Sequence, residues 1–142
     1  MEIRIIKYNS EDYQKAVELR NKILRKPLGI EMTKDFLKQD EKDIHFGLFE
    51  NNEILVSLTY KIIDSKTIKM RQVATNNHLQ GKGLGQKLVL FSEAYMKKLG
   101  YSHIILHARN SAIYFYKKLN YNIFGEEFEE VGLPHMKMEK YI

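Results

Sequence analysis

The sequence predicts an α/β fold: a mixed, mainly antiparallel central sheet flanked by helices. Three observations predict it. Short β-branched runs recur along the chain and read as strands, and longer stretches with apolar residues every three or four positions read as helices. Their order is β, helices, three antiparallel strands, helix, β, helix, ββ, which builds a mixed sheet with helices on its faces. With 142 residues and neither an internal repeat nor a linker, residues 1–142 fit one domain around a single core.

"EIRIIKY" at 2–8 is the first strand. Ser10 is placed to cap the helix that follows, where Tyr13, Ala16, Val17, Ile23 and Leu24 share one broad face until Pro27 and Gly29 end it. Thr33 caps a short helix reaching Leu37. "IHFGLFE", the turn "NN" and "EILVSLTYKII" form a hairpin, "DSKT" turns the chain again, and "TIKMRQVAT" at 67–75 is the next strand. Leu84, Leu88, Phe91, Tyr95 and Leu99 then mark a helix that Gly100 closes. "HIILHA" is a buried strand; Ala112, Phe115, Tyr116 and Leu119 mark a short helix; "YNIFGEEF" and "LPHMKME" form a last hairpin around "EEVG".

The chain has no cysteine, which excludes disulfides, thiolate metal ligands and a cysteine nucleophile. No stretch has the apolar length of a membrane span, and "MEIRIIKYNS" lacks the apolar core of a signal peptide, so the expected compartment is the cytoplasm, without a membrane partner. A formal charge of +5 and a pI near 9.2 favour an anionic ligand or surface. The lysines are nevertheless scattered among glutamates, which reads as a solvated basic surface, and no nucleic-acid partner is expected. His45, His78, His103, His107 and His135 are dispersed. On one strand, the spacing of His103 and His107 separates them by about 13 Å, so no metal site is expected.

The chemistry concentrates at "HLQGKGLGQKL", residues 78–88. Glycines just before a helix leave main-chain N–H groups uncovered, and those amides together with the helix dipole make an anion site. Lys82 and Lys87 add positive charge nearby. Two familiar phosphate loops fail by spacing. A Walker A loop needs a glycine five residues before its Gly-Lys pair and a hydroxyl residue after it, but position 76 is Asn and Gly81-Lys82 is followed by Gly83. The dinucleotide fingerprint needs G-x-G-x-x-G after the first strand, whereas Gly81, Gly83 and Gly85 read G-x-G-x-G late in the chain.

The loop resembles the acyl-CoA-binding loop of the GCN5-related N-acetyltransferase (GNAT) superfamily, Q/R-x-x-G-x-G/A, matched by Gln80, Gly81, Lys82, Gly83, Leu84 and Gly85. Upstream, "MRQVAT" looks like the family's fourth strand. Downstream, "SAIYFYKKLNYNIFGEEF" is similar to its A-x-x-F-Y-x-K-x-G-F segment, with Ala112, Phe115, Tyr116, Lys118 and Tyr121 in register. The ends of the chain resemble small bacterial acetyltransferases of the ElaA-like and YjcF-like groups. The resemblance implies a GNAT-like acyl-CoA N-acyltransferase fold and acetyl-CoA as donor. It puts the pantetheine arm beside the main chain of Val73, Ala74 and Thr75, and the pyrophosphate on the amides from Gln80 to Gln86, with Leu84 turned into the core. It also implies that the fourth and fifth strands splay apart, opening a gap between "RQVA" and "ILHA". Arg109 falls where many members carry a cofactor-contacting Asn, and Asn110 stands one position later; either side chain could supply that contact.

Tyr116 is the sharpest catalytic candidate, because a phenol protonated at neutral pH can protonate or stabilise a departing thiolate. Taken alone it reads as an aromatic residue completing a helix face; the family register points to the acid role. A base is also needed to take the proton of an alkylammonium. Lys69, Arg71 and Gln72 on the fourth strand are not credible bases; His107 has a suitable pKa, with Glu127, His45 and a water relay as competitors. The expected reaction is direct attack by a primary amine of a small molecule or peptide, with oxyanion stabilisation by the amide of Val73 or Ala74. The acids of "EMTKDFLKQDEKD" and "GEEFEE" form either an amine-attracting rim or solvated faces. The rival readings are a non-catalytic CoA-binding or sensing module and a nucleic-acid-associated protein. An exposed sheet edge or helix face would serve equally as free surface or homodimer contact.

Overall fold

A computed structural model describes residues 1–142. Seven strands form one sheet: β1 (Glu2–Ile6), β2 (Ile44–Glu50), β3 (Glu53–Ile62), β4 (Thr67–Thr75), β5 (His103–Arg109), β6 (Asn122–Glu130) and β7 (Leu133–Tyr141). Their spatial order is β1-β2-β3-β4-β5-β7-β6, and the β4–β5 pair alone is parallel. A parallel pair needs a crossover between its strands. The helix α3 (Leu84–Lys98) supplies it.

The turns follow from local chemistry. Asn51 and Asn52 both take positive φ, 51° and 64°, which the two-residue turn between β2 and β3 requires. Between β3 and β4, Asp64 accepts from the amides of Lys66 and Thr67 at 2.9 and 2.8 Å. Ser10 caps α1 (Glu11–Arg20) by accepting from the amide of Tyr13 at 3.1 Å, and Thr33 caps α2 (Lys34–Lys38) by accepting from Phe36 at 3.2 Å.

The long first helix departs from its expected form. Regular α-helix stops at Arg20, the chain widens into a π-helical turn over Asn21–Arg25, and a short 3-10 segment ends at Gly29, whose φ is 68°. Such widened turns occur frequently at functional sites. A short helix α4 (Ile113–Lys118) follows β5.

Alternation along the strands sorts side chains to two faces. Val56, Leu58 and Tyr60 of β3 join Ile68, Met70, Leu88 and Met96 in the main core beneath α3. The other face carries Ser57 and Thr59, buried under α1, with a smaller apolar cluster of Ile6, Tyr13, Ala16 and Phe49 beside them. The α3 face is mainly apolar, with buried Ser92 and Glu93 hydrogen-bonded to Tyr60 and Tyr121, and the other mixes apolar contacts with more buried polar groups.

Candidate active site

β4 and β5 pair only from Thr67 opposite His103 to Met70 opposite Leu106. Beyond that rung β4 stays with β3 as far as Thr75, and β5 stays with β7 as far as Arg109. The strands thus splay, and the facing edges of Arg71–Thr75 and His107–Arg109 have no strand partner there. The opening lies in the expected place. It begins at a bulge, where Gln72 takes a φ of 57° and the β3 register shifts between Ser57 and Thr59. A bulge bends its strand and raises its twist, which turns β4 away from β5.

The glycine loop stands at the carboxyl end of β4. No main-chain carbonyl or side chain of the protein accepts from the consecutive amides of Gly81 to Gln86; the first helical bond is Lys87 to Gly83. Gly81 and Gly83 take φ values of 81° and 78°, which L side chains adopt only at a cost. Gly85 serves differently: a Cβ there would lie 3.3 Å from Thr75 Oγ1 and 3.5 Å from the Phe115 ring, so its bareness lets the helix start close against β4 and α4. A cavity of about 250 Å³ results, lined by Thr75, the loop, Phe115 and Lys118. The run of free amides starts one residue later than expected. The Gln80 amide is engaged by Asn77 O at 3.4 Å, and its side chain donates to Thr75 O at 3.2 Å, bracing the loop. Leu84 packs against the core while also lining the cavity, and Lys82 is exposed.

Tyr116 is buried, 8% exposed, with the Phe115 and Tyr121 rings edge-on at 5.0 and 5.7 Å. Burial alone pushes its pKa above the ordinary value of 10. The phenol therefore keeps its proton. His107 is the first β5 residue past the last rung to β4. Its Nδ1 lies 3.0 Å from Glu130 Oε1, and its ring stands edge-on to Phe128 at 4.9 Å. A carboxylate at Nδ1 favours the tautomer with the proton there, leaving the Nε2 lone pair available. Burial works to raise the Glu130 pKa, but the hydrogen bond and charge of His107, aided by His135 and Lys69, carry it below the usual value.

The competitors are engaged elsewhere. Both ring nitrogens of buried His45 are used, Nδ1 with Thr59 Oγ1 at 2.9 Å and Nε2 with Asp40 O at 2.8 Å. Glu127 accepts from Asn110 Nδ2 at 3.3 Å. Arg109 donates to Leu24 O at 3.3 Å, on the π-helical turn. Neither Arg109 nor Asn110 lines the cavity of the glycine loop; both side chains make contacts within the protein.

On the α1 face the structure gathers polar groups that no sequence motif marks. The π-helical turn crosses the splay, tied by Lys22 donating to Asn76 Oδ1 at 3.4 Å just past the end of β4, and to β5 by the Arg109 bond. Arg20 donates to Asp40 at 2.9 Å, Tyr13 OH donates to the same oxygen at 2.6 Å, and Asp43 lies 3.8 Å from Arg71. Several buried polar atoms have no hydrogen-bond partner: Nε and Nη2 of Arg20, Nε of Arg25, Ser57 Oγ, Asp43 Oδ2 and both amide atoms of Gln72. Burial pushes the Asp43 carboxyl up against the pull of Arg71, and lowers Arg25, as do the charges of Arg20, Arg71 and Arg109. Asp40 and Asp43 are thus neither a rim nor a solvated face; they are partly neutralised by arginines.

A sheet split between two parallel strands, with unpaired amides cradled at the end of one of them, defines an acyl-CoA-dependent transferase. The model of the Acetyltransferase (GNAT) domain matches residues 9–142, and the chain belongs to that family. GNAT acetyltransferases take their acetyl group from acetyl-CoA, and the enzyme is an acetyl-CoA-dependent acetyltransferase. The uncharacterized N-acetyltransferase YjcF of Bacillus subtilis is 23% identical, over 96% of this chain and 97% of its own. Escherichia coli ElaA superposes with a TM-score of 0.85 at 16% identity, covering 99% of both chains. A GNAT acetyltransferase of Elizabethkingia anophelis solved with acetyl-CoA bound gives 0.77 at 17%, covering 99% of this chain and 97% of that one.

Proposed function

We propose that the chain transfers the acetyl group to a primary amine of a small molecule or peptide by direct attack, without an acetyl-enzyme. The observation that supports this reading is the splay itself: β4 keeps an unpaired edge beyond Met70, the amides of Gly81 to Gln86 past its end are free, and His107 is the first β5 residue beyond the last rung. The bound cofactor supplies an acetyl thioester. The edges of Val73, Ala74 and Thr75 hold the pantetheine arm as an added strand would, and the amides of Gly81 to Gln86 receive the pyrophosphate. An amide of Val73 or Ala74 stabilises the developing oxyanion.

His107, oriented by Glu130, takes the proton of the incoming ammonium at Nε2. Tyr116 donates a hydrogen bond to the departing sulfur. Its raised pKa lies above the ordinary thiol value near 8.5, so the phenol steadies the thiolate without fully surrendering its proton. Thiol release from acetyl-CoA across an amine library tests this reading. Turnover with at least one primary amine supports it, and measurable CoA binding with no turnover on any amine sinks it.

A further inference from the structure

We infer that the acceptor amine carries an oxyanion of its own, a carboxylate or a phosphate, which docks on the guanidiniums gathered under the π-helical turn, with Arg25 at their centre. The inference rests on the acetyl-transfer reading and names its substrate class.

Arginines from four separate elements border this side of the splay. Arg20 ends α1, Arg25 ends the π-helical turn, Arg71 lies on β4 at the opening of the splay, and Arg109 lies on the facing end of β5. The positions are linked physically: Arg109 is bonded to the carbonyl of Leu24, next to Arg25, and Arg25 is within electrostatic reach of all three other guanidiniums. Lys69, half-buried two residues before Arg71, adds further positive charge.

The acids present do not balance these charges. Asp40 is shared between Arg20 and Tyr13, Asp43 approaches Arg71 only to 3.8 Å, and Glu130 is taken by His107 and, at 3.6 Å, by His135. Arg20 is 1% exposed, yet its Nε and Nη2 have no acceptor, and Arg25 Nε is likewise buried without one. Leaving charged donors desolvated and unpaired is costly, and a planar guanidinium fork matches a carboxylate or phosphate edge. A polycationic acceptor, such as a polyamine or an aminoglycoside, would instead meet like charge here. The glycine loop is not the partner of these arginines, since its cavity lining includes none of them.

The test measures binding to CoA-saturated protein by calorimetry, so it needs no turnover. The probes are N-acetyl amino acids beside their methyl esters, N-acetylglucosamine 6-phosphate beside N-acetylglucosamine, and N-acetylputrescine. In at least one pair the charged probe should bind about tenfold or more tightly than its neutral partner, as one charge-assisted contact allows. The pair that responds tells carboxylate from phosphate. Arg25→Gln should erase most of that preference and Arg25→Lys should keep part of it, with CoA affinity unchanged in both. Equal affinity within every pair, including no binding of either member, overturns the inference. Tighter binding of N-acetylputrescine, an unchanged preference in Arg25→Gln, or a loss of CoA binding in that variant does the same. Absence of thiol release with every amine, against a preserved anion preference, would count against acetyl transfer alone.

Discussion

Arg109, on β5, donates to the main-chain carbonyl of Leu24, so the strand bordering the splay holds the π-helical turn that roofs it. The bond joins residues far apart in sequence across the opening. Arg109→Ala should therefore free the turn: amide exchange at Asn21–Arg25 should quicken, and the amine KM should rise about tenfold, the worth of one charge-assisted bond. Acetyl-CoA affinity, measured by calorimetry, should stay within error. A weakened CoA affinity would instead give Arg109 a cofactor contact.

Tyr116→Phe keeps the aromatic packing against Phe115 and Tyr121 and removes only the hydroxyl. kcat should fall roughly 100-fold, the scale of a positioned proton donor, with acetyl-CoA affinity nearly intact. Because burial raises the Tyr116 pKa, the activity of the unaltered enzyme should show no loss from tyrosine ionisation up to pH 10. Steady-state kinetics across pH check both outcomes.

Asp40 is nearly inaccessible and holds both Arg20 and Tyr13 through one oxygen. Removing it leaves a buried guanidinium without its partner. Asp40→Ala should cost about 3–5 kcal/mol in urea unfolding. A cost below about 1 kcal/mol, typical of exposed pairs, would show that the network is solvated in solution.

His45 is held neutral between Thr59 and Asp40, with Asp40, Asp43 and Arg20 as its charged neighbours. Burial is the largest influence and lowers its pKa below the ordinary 6.5. The unfolded chain then takes up the proton first. Its contribution to stability is present above pH 6.5 and is lost as pH falls from there toward the depressed folded value. His45→Gln should flatten the fall in unfolding free energy over that acid window; an unaltered slope would place the cause on another group.

Much of this architecture could be read from local patterns. Paired asparagines specified one hairpin turn, Ser10 and Thr33 specified helix starts, and spaced glycines marked an anion loop, because in each case neighbouring residues do the physical work. The π-helical turn was not legible, since "NKILR" continues a good helical spacing and only packing across the splay widens it. Nor was the bulge, because Gln72 takes a positive φ without the glycine or asparagine that usually signals one. The arginine cluster assembles from positions 20, 25, 71 and 109, and no sequence window contains it. A rim and solvated faces were both open readings of the acids, and Asp40 and Asp43 follow neither because they meet their arginines only through the topology.

The splay also makes the sheet an unfinished object. From Arg71 to Thr75, β4 has hydrogen-bonding positions on its β5 side that no strand fills. A donor seated there, as in the proposed function, would act as a folding ligand as well as a reactant. At a hundredfold excess over its dissociation constant it should add about 2.7 kcal/mol to the unfolding free energy. The lifetime of the folded protein, and the resistance of its central strands to exchange and proteolysis, should therefore follow the supply of its own donor.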